Sequence, residues 1–261
     1  MVAPMRIASW NVNSVRSRLD QLTAWLARAA PDVVCLQETK VEDSLFPVKA
    51  FEELGYRSVY FGQKTYNGVS ISAREGLAIN DVKKNLDGDA DDAQRRVIAA
   101  TIEGVRVINV YVPNGQAVGT PAFAMKLAWY ERLILELGTR YSPEQELVVC
   151  GDFNVAPEPI DVYDPKRWEG QVLFHPDERA ALHKLMAWGL VDAFRDHHPE
   201  PALYSWWDYR MGAFPKNRGL RIDLALLTRK LAARCKDVSI DRRPRELERP
   251  SDHAPVVVEL A

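Results

Sequence analysis

The amino-acid sequence predicts an α/β fold, a pair of packed sheets flanked by helices, on three grounds. Short continuous apolar runs alternate with segments of helical hydrophobic spacing. A helix leading into an apolar strand tipped by an acid occurs in each half, over residues 17–38 and again over 121–152. The 261 residues, 47% of them hydrophobic, suffice for one large core, and no low-complexity linker or short-period repeat divides them. A single domain over residues 1–261 is expected.

Residues 6–12 read as the first strand. A helix follows over 17–30, where Leu19, Leu22, Trp25, Leu26 and Ala29 recur at helical spacing behind Ser17 as cap, until Pro31 stops it. Val33 to Leu36 is apolar throughout, as in a strand covered on both faces, and it delivers Glu38 just past its end. Residues 68–72, 97–102 and 105–112 read as strands, with Gly104 marking a hairpin between the last two. Phe123, Leu127, Tyr130, Ile134 and Leu137 define a helix over 121–141, and the buried strand 147–150 then ends at Gly151-Asp152. A helix over 177–189 and strands over 222–227 and 255–260 complete the chain.

The formal net charge of −2 excludes a whole-protein basic field, so a polyanion would have to be held by a local patch. Arg95-Arg96, Lys166-Arg167, Lys216 with Arg218, and Arg242 to Arg249 read as solvated surface, whereas Arg221 stands apart because it adjoins Asp223. Asp87, Asp89, Asp91 and Asp92 read as an exposed loop. The three cysteines, Cys35, Cys150 and Cys235, lack CxxC spacing and read as small buried hydrophobes. Neither a charged segment with a following apolar stretch at the N-terminus nor a run of 18 apolar residues is present, so the cytoplasm is the expected compartment, with no membrane involved.

Acids at or beside strand ends point to one polar pocket: Glu38, Asp152, Asp223 and Asp252, joined by Asn11. Carboxylates gathered there would raise each other's pKa unless a cation neutralised them, and oxygen-only donors favour a hard ion such as Mg²⁺. Asp152 and Asn154, one residue apart, would face the same side while Phe153 turns to the core, supplying a base and a donor together. A turn in which both satisfy their own backbone is the alternative. His253 is the residue type that titrates near neutrality, and Asp223 is expected to accept from it and fix its tautomer. The histidines at 175, 183, 197 and 198 read as surface.

Trp10-Asn-Val-Asn13, Leu36-Gln-Glu-Thr-Lys40, Tyr111-Val-Pro-Asn114, Gly151-Asp-Phe-Asn154, Arg218-Gly-Leu-Arg-Ile-Asp223 and Ser251-Asp-His-Ala-Pro255 together resemble the exonuclease III family of abasic-site endonucleases, in order and spacing from near residue 5 to residue 260. The likeness extends to Phe61-Gly-Gln-Lys64, Ala93-Gln-Arg-Arg96, Met186 to Asp192 and Tyr204 to Arg210. Sphingomyelinases, inositol phosphatases and pancreatic-type DNases share the acid and histidine motifs but not these segments.

The resemblance implies a four-layer α/β sandwich and a Mg²⁺-dependent DNA repair nuclease, with Mn²⁺ as a substitute ion. Such an enzyme cleaves 5′ of abasic sites and trims or unblocks 3′ ends. Duplex DNA carrying either lesion is the implied partner, and a monomer the expected form. By the same likeness Glu38 is the principal metal ligand, with Asn11 and Asp252 nearby. Asp152 is the base, Asn154 and Asn11 are phosphoryl donors, and His253, held by Asp223, contacts the phosphate. Tyr111 and Asn114 match active-site positions, and the tyrosine can serve either as a donor or as a phenolate. Trp206, Leu220 and Ile222 match an apolar pocket for the baseless sugar. Strand alternation separates Leu220 and Ile222 from Asp223 unless the chain turns at Gly219, which permits it. Arg96, Lys216 and Arg218 are the candidates for holding the DNA backbone. A lipid or inositol phosphatase and a catalytically inactive DNA-binding module are the competing readings; the Trp206 to Arg210 segment opposes the first and the intact acids oppose the second.

Overall fold

A computed structural model describes residues 4–89 and 93–261. Its strands are β1 (Met5–Asn11), β2 (Val33–Gln37), β3 (Tyr56–Phe61), β4 (Val69–Arg74), β5 (Asn80–Lys84), β6 (Val97–Ile102), β7 (Val105–Tyr111), β8 (Leu147–Asp152), β9 (Leu190–Asp192), β10 (Asp223–Thr228), β11 (Cys235–Ile240) and β12 (Val256–Leu260). The helices are α1 (Leu19–Ala29), α2 (Val48–Glu52), α3 (Pro121–Arg140), α4 (Pro165–Trp168), α5 (Pro176–Met186), α6 (Ala193–His197) and α7 (Arg229–Ala232).

The strands form two six-stranded sheets, ordered β11-β12-β1-β2-β4-β3 and β5-β6-β7-β8-β10-β9. Each sheet has one parallel pair at its centre, β1 with β2 and β7 with β8, and every other pairing is antiparallel. A parallel pair needs a crossover, and α1 and α3 are those crossovers. The repeated helix and acid-tipped strand of the sequence are therefore the central units of the two sheets.

Side-chain alternation builds the layers. Val33 and Cys35 of β2 meet Val148 and Cys150 of β8 in the core between the sheets. Val34 and Leu36 face outward onto Leu22, Trp25 and Leu26 of α1, and Leu147 and Val149 face Leu133 and Leu137 of α3. The result is a four-layer α/β sandwich in which both central strands are covered on both faces, which is why they read as unbroken apolar runs.

The four strands that the sequence did not announce, β3, β5, β9 and β11, are the four sheet edges. An edge strand pairs on one side only and needs little apolar content; Asn80–Lys84 is mostly exposed. Ser17 does not cap α1. The helix starts at Leu19 behind Arg18 without a side-chain cap, and the Ser17 backbone instead donates to Ser14 Oγ at 3.3 Å. Arg18 is diverted to the carbonyl of Asn13 and, at 3.3 Å, to the Tyr209 hydroxyl.

Asp87 and Asp89 are not free loop acids: Asp87 pairs with Arg140 and Lys83, and Asp89 with Arg132 at 2.6 Å. Asp91 and Asp92 lie outside the described residues. Cys35 and Cys150 are buried, but Cys235 is only partly so. His175 accepts from Asp177 N–H at the start of α5, and His198 Nε2 lies 2.6 Å from the Val238 carbonyl, so both hold structure.

Gly151, one residue before Asp152, is needed where it stands. Its φ is +145°, and a Cβ there would lie 1.9 Å from the Val110 carbonyl oxygen across the β7–β8 pairing. Gly151→Ala is expected to destabilise the fold by about 2 kcal/mol through overpacking and backbone strain. Urea unfolding of the variant beside the parent checks this.

Candidate active site

The acids converge because of strand direction. β1, β2, β7 and β8 all end at one edge of the sandwich, and the antiparallel β10 and β12 begin there. Register fixes the neighbours: Tyr111 and Asp223 both stand opposite Asp152, and Asn11 stands opposite Gln37, one residue before Glu38. Asp252 and His253 lie just before β12.

Asn11 joins the two sheets. Its amide nitrogen donates to Glu38 Oε1 at 2.8 Å and to Asp152 Oδ2 at 2.9 Å, while its carbonyl accepts from Asn13 N–H at 2.9 Å. A backbone N–H can only donate, so the amide orientation is set. In this arrangement Asn11 presents its amide nitrogen to the carboxylates and its carbonyl oxygen to the Asn13 backbone.

Asp152 is 1% exposed. Its Oδ1 accepts from Asn154 N–H at 2.9 Å and its Oδ2 from the Asn154 amide at 3.2 Å. The turn in which the two residues satisfy each other is therefore present. Asn154 adopts φ +49°, donates to the Val112 carbonyl at 2.9 Å, and accepts from Asn114 at 2.9 Å. Phe153 is fully buried, as alternation required.

His253 is 4% exposed, with Nδ1 at 2.9 Å from Asp223 Oδ2 and Nε2 at 3.8 Å from Asp152 Oδ2. Burial alone would lower its pKa, but Asp223 and Asp152 outweigh that and raise it to about 10. Asp223 thus holds Nδ1 of the ring and favours its charged form. Burial pushes the Asp152 carboxyl up to about 7, with Asp223 and Glu38 adding to the rise and His253 and Asn11 opposing it.

Burial, followed by Glu38 and Asp152, holds the Tyr111 pKa well above the ordinary tyrosine value, a direction that favours the hydroxyl over the phenolate. Arg96 lies with its guanidinium 4.6 Å from the Tyr111 ring centroid and is 9% exposed. It is a buried support for Tyr111 and not a surface grip. Lys216 is exposed and donates to the Met211 carbonyl at 3.1 Å, outside the cluster.

Asp252 keeps a lowered pKa despite the opposing effect of burial, because His253, Trp206 and Asn13 favour its charge. Its oxygens accept from Asn13 at 2.9 Å and from Trp206 Nε1 at 3.0 Å. Leu220 and Ile222 are 0% and 1% exposed, sealed against Val162, Leu173 and Phe174, so of the three expected pocket residues only Trp206 shows a face to solvent. Gly219 does not make a left-handed turn. It is required because a Cβ would lie 2.5 Å from Trp207 Nε1.

A hard cation fits this donor set. Glu38, Asp152 and His253 bring ligand-type atoms within 4.8 Å of one another, and Asp252 is not in that group. Glu38 and Asp152 supply carboxylate oxygens, the donors that suit a hard ion such as Mg²⁺. Lys40 Nζ already stands 2.8 Å from Glu38 Oε2 and 2.6 Å from Asn13 Oδ1, so positive charge is accommodated at this carboxylate.

Sequence reasoning gave no role to Lys126. It is fully buried and pairs with the equally buried Glu178 while donating to the Asn114 carbonyl at 3.2 Å and to the Asn154 carbonyl. It ties together the two loops that present Asn114 and Asn154. A lysine on the apolar stripe of α3, between Phe123 and Tyr130, was the available signal.

Comparison with known proteins agrees with this geometry. The model of the Endonuclease/Exonuclease/phosphatase family matches residues 8–253. Exodeoxyribonuclease III of Haemophilus influenzae is 38% identical, covering 98% of this chain and 100% of that protein. The exodeoxyribonuclease of Bacillus subtilis is 33% identical over 97% of this chain and 98% of its own. Among solved structures, a variant of the 3′ phosphatase NExo from Neisseria bound to product DNA hairpin superposes with a TM-score of 0.94 at 45% identity, covering 98% of this chain and 99% of that one. An AP endonuclease from Archaeoglobus fulgidus gives 0.94 at 42% identity with the same coverage. The chain belongs to the endonuclease/exonuclease/phosphatase family, in its exodeoxyribonuclease III branch.

Proposed function

We propose that the protein is a Mg²⁺-dependent DNA repair nuclease that cleaves the phosphodiester 5′ of abasic sites and removes nucleotides or blocking groups from 3′ ends of duplex DNA. The observation that carries this reading is the facing of Glu38 and Asp152 across the two sheets, bridged by Asn11 and closed by the Asp223–His253 pair. The relatives' names give the substrate class.

Asp152 takes the proton of the attacking water, its basicity set by burial among acids. His253 and the Tyr111 O–H donate to the phosphoryl oxygens as negative charge grows there, while the Asn11 and Asn154 amides, whose N–H groups go to Glu38, Asp152 and Val112, hold the carboxylates in place. Glu38 would hold Mg²⁺, which when bound would supply charge neutralisation for the phosphoryl group and the leaving 3′-oxygen. An abasic sugar would sit at the Asp252 edge of the Trp206 indole, since Leu220 and Ile222 are sealed behind that ring. Among the described residues no helix is long and apolar enough to cross a membrane.

End-labelled duplex carrying one abasic analogue, beside undamaged and 3′-phosphorylated duplexes, tests the proposal on a gel. Incision 5′ of the lesion and 3′ processing are expected with Mg²⁺ and should vanish in EDTA. Metal-independent cleavage would overturn the Mg²⁺ requirement, and no cleavage of any duplex together with release of phosphate from an inositol phosphate would favour the phosphatase activity.

A further inference from the structure

A cleft of about 330 Å³ opens on the outer side of Trp206, lined by Tyr163, Trp168, Trp206, Arg167, Arg210 and Arg218 among others. The three aromatic side chains rest on the sealed apolar cluster of Leu220 and Ile222 and show their remaining faces to the cleft. Trp206 belongs to both places at once, because its indole N–H is bonded to Asp252 at 3.0 Å. Through Trp206 the cleft adjoins Asp252.

Its charge is as informative as its walls. Arg210 is neutralised by Asp208, but among the described residues neither Arg167 nor Arg218 makes an ion pair, in a chain whose net charge is −2. Unpaired guanidinium groups beside stacked-on aromatic faces suit a ligand with both a phosphate and a flat ring, and the volume fits one nucleotide. An excluding pocket for a baseless sugar would be small and apolar; this cleft is neither.

We propose that the Tyr163–Trp168–Trp206 cleft is a base-accepting subsite that receives the unpaired 3′-terminal nucleotide of DNA, its base against Trp168 and its backbone near Arg167 and Arg218. The proposal rests on the nuclease reading above and names the end, with an intact base, as the substrate that this face selects.

The test uses one recessed-end duplex in three forms: with an ordinary 3′-terminal nucleotide, with a 3′-terminal abasic analogue, and with a 3′-phosphate. Trp168→Ala should lose about tenfold or more in kcat/KM on the ordinary end relative to its change on the other two, the range a lost base–aromatic stack produces. Trp168→Phe should restore most of it. In EDTA, a 3′-terminal 2-aminopurine should be quenched on binding the parent and much less on binding Trp168→Ala. Equal change on all three ends, or unchanged quenching, overturns the subsite. Absence of Mg²⁺-dependent activity in the parent would instead overturn the nuclease reading, while 3′-phosphate release by the variant shows that it has folded.

Discussion

Asp152→Asn is expected to lower the rate of DNA cleavage by about 10²–10⁴ while leaving DNA affinity nearly unchanged, because it removes a general base and little else. Asparagine has the same shape as aspartate, and its carbonyl can still accept from Asn154 N–H, now 2.9 Å from Asp152 Oδ1. What it cannot do is take a proton from water. Its amide also meets the donor of Asn11 at 2.9 Å with like polarity, which loosens the bridge between the sheets. Single-turnover cleavage with Mg²⁺ and anisotropy of labelled DNA in EDTA separate the two effects. Equal losses in cleavage and binding would mean that Asp152 positions DNA and that another group prepares the water.

His253 bears on the same result. Asp223 and Asp152 both raise its pKa, so Asp152→Asn, which removes one of the two charges, should lower it. In the proposed mechanism the buried pair divides the work, the Asp152 carboxyl accepting a proton and His253 donating hydrogen bonds, with Asn11 bonded to the first and Asp223 to the second.

The parts of this site legible in the sequence were those carried by strands buried on both faces. Val33 to Leu36 and Leu147 to Cys150 are unbroken apolar runs, so the position of an acid at the end of each follows from the run itself. The edge strands left no such trace, since Asn80 to Lys84 has no apolar face to bury. Side-chain direction was less legible than position. That Asn11 turns a nitrogen toward Glu38 depends on the Asn13 backbone. That Arg96 lies buried over Tyr111 depends on the packing of that ring. The Leu220 and Ile222 pocket failed for a different reason: apolar residues that would line an open pocket and those that fill a core have the same composition, and only packing against Val162 and Phe174 tells them apart.

Arg221 shows where a residue beside the site acts through stability. It is fully buried, with Nε at 2.7 Å from Asp161 and its terminal nitrogens at 3.1 and 2.6 Å from Asp192. Arg195 also binds Asp161, at 2.6 Å, but among the described residues only Arg221 forms an ion pair with Asp192. Removing the guanidinium would leave that carboxylate desolvated and unpaired. Arg221→Met is therefore expected to destabilise the protein by about 3–5 kcal/mol, a fall in Tm of roughly 6–20 °C for a chain of this size. Asp192→Asn in the Arg221→Met background should recover part of the loss, because it removes the stranded charge; the two sites are in contact and cannot be additive. Since Arg221 precedes Asp223 by two residues, the same variant should also weaken the hold on His253. Its cleavage rate at a temperature where it remains folded should fall less than that of Asp152→Asn, because no reacting group is lost. A single variant within about 1 kcal/mol of the parent, measured by urea unfolding, would show that solvent or local rearrangement replaces the pair and that the network does not hold this edge of the sandwich together.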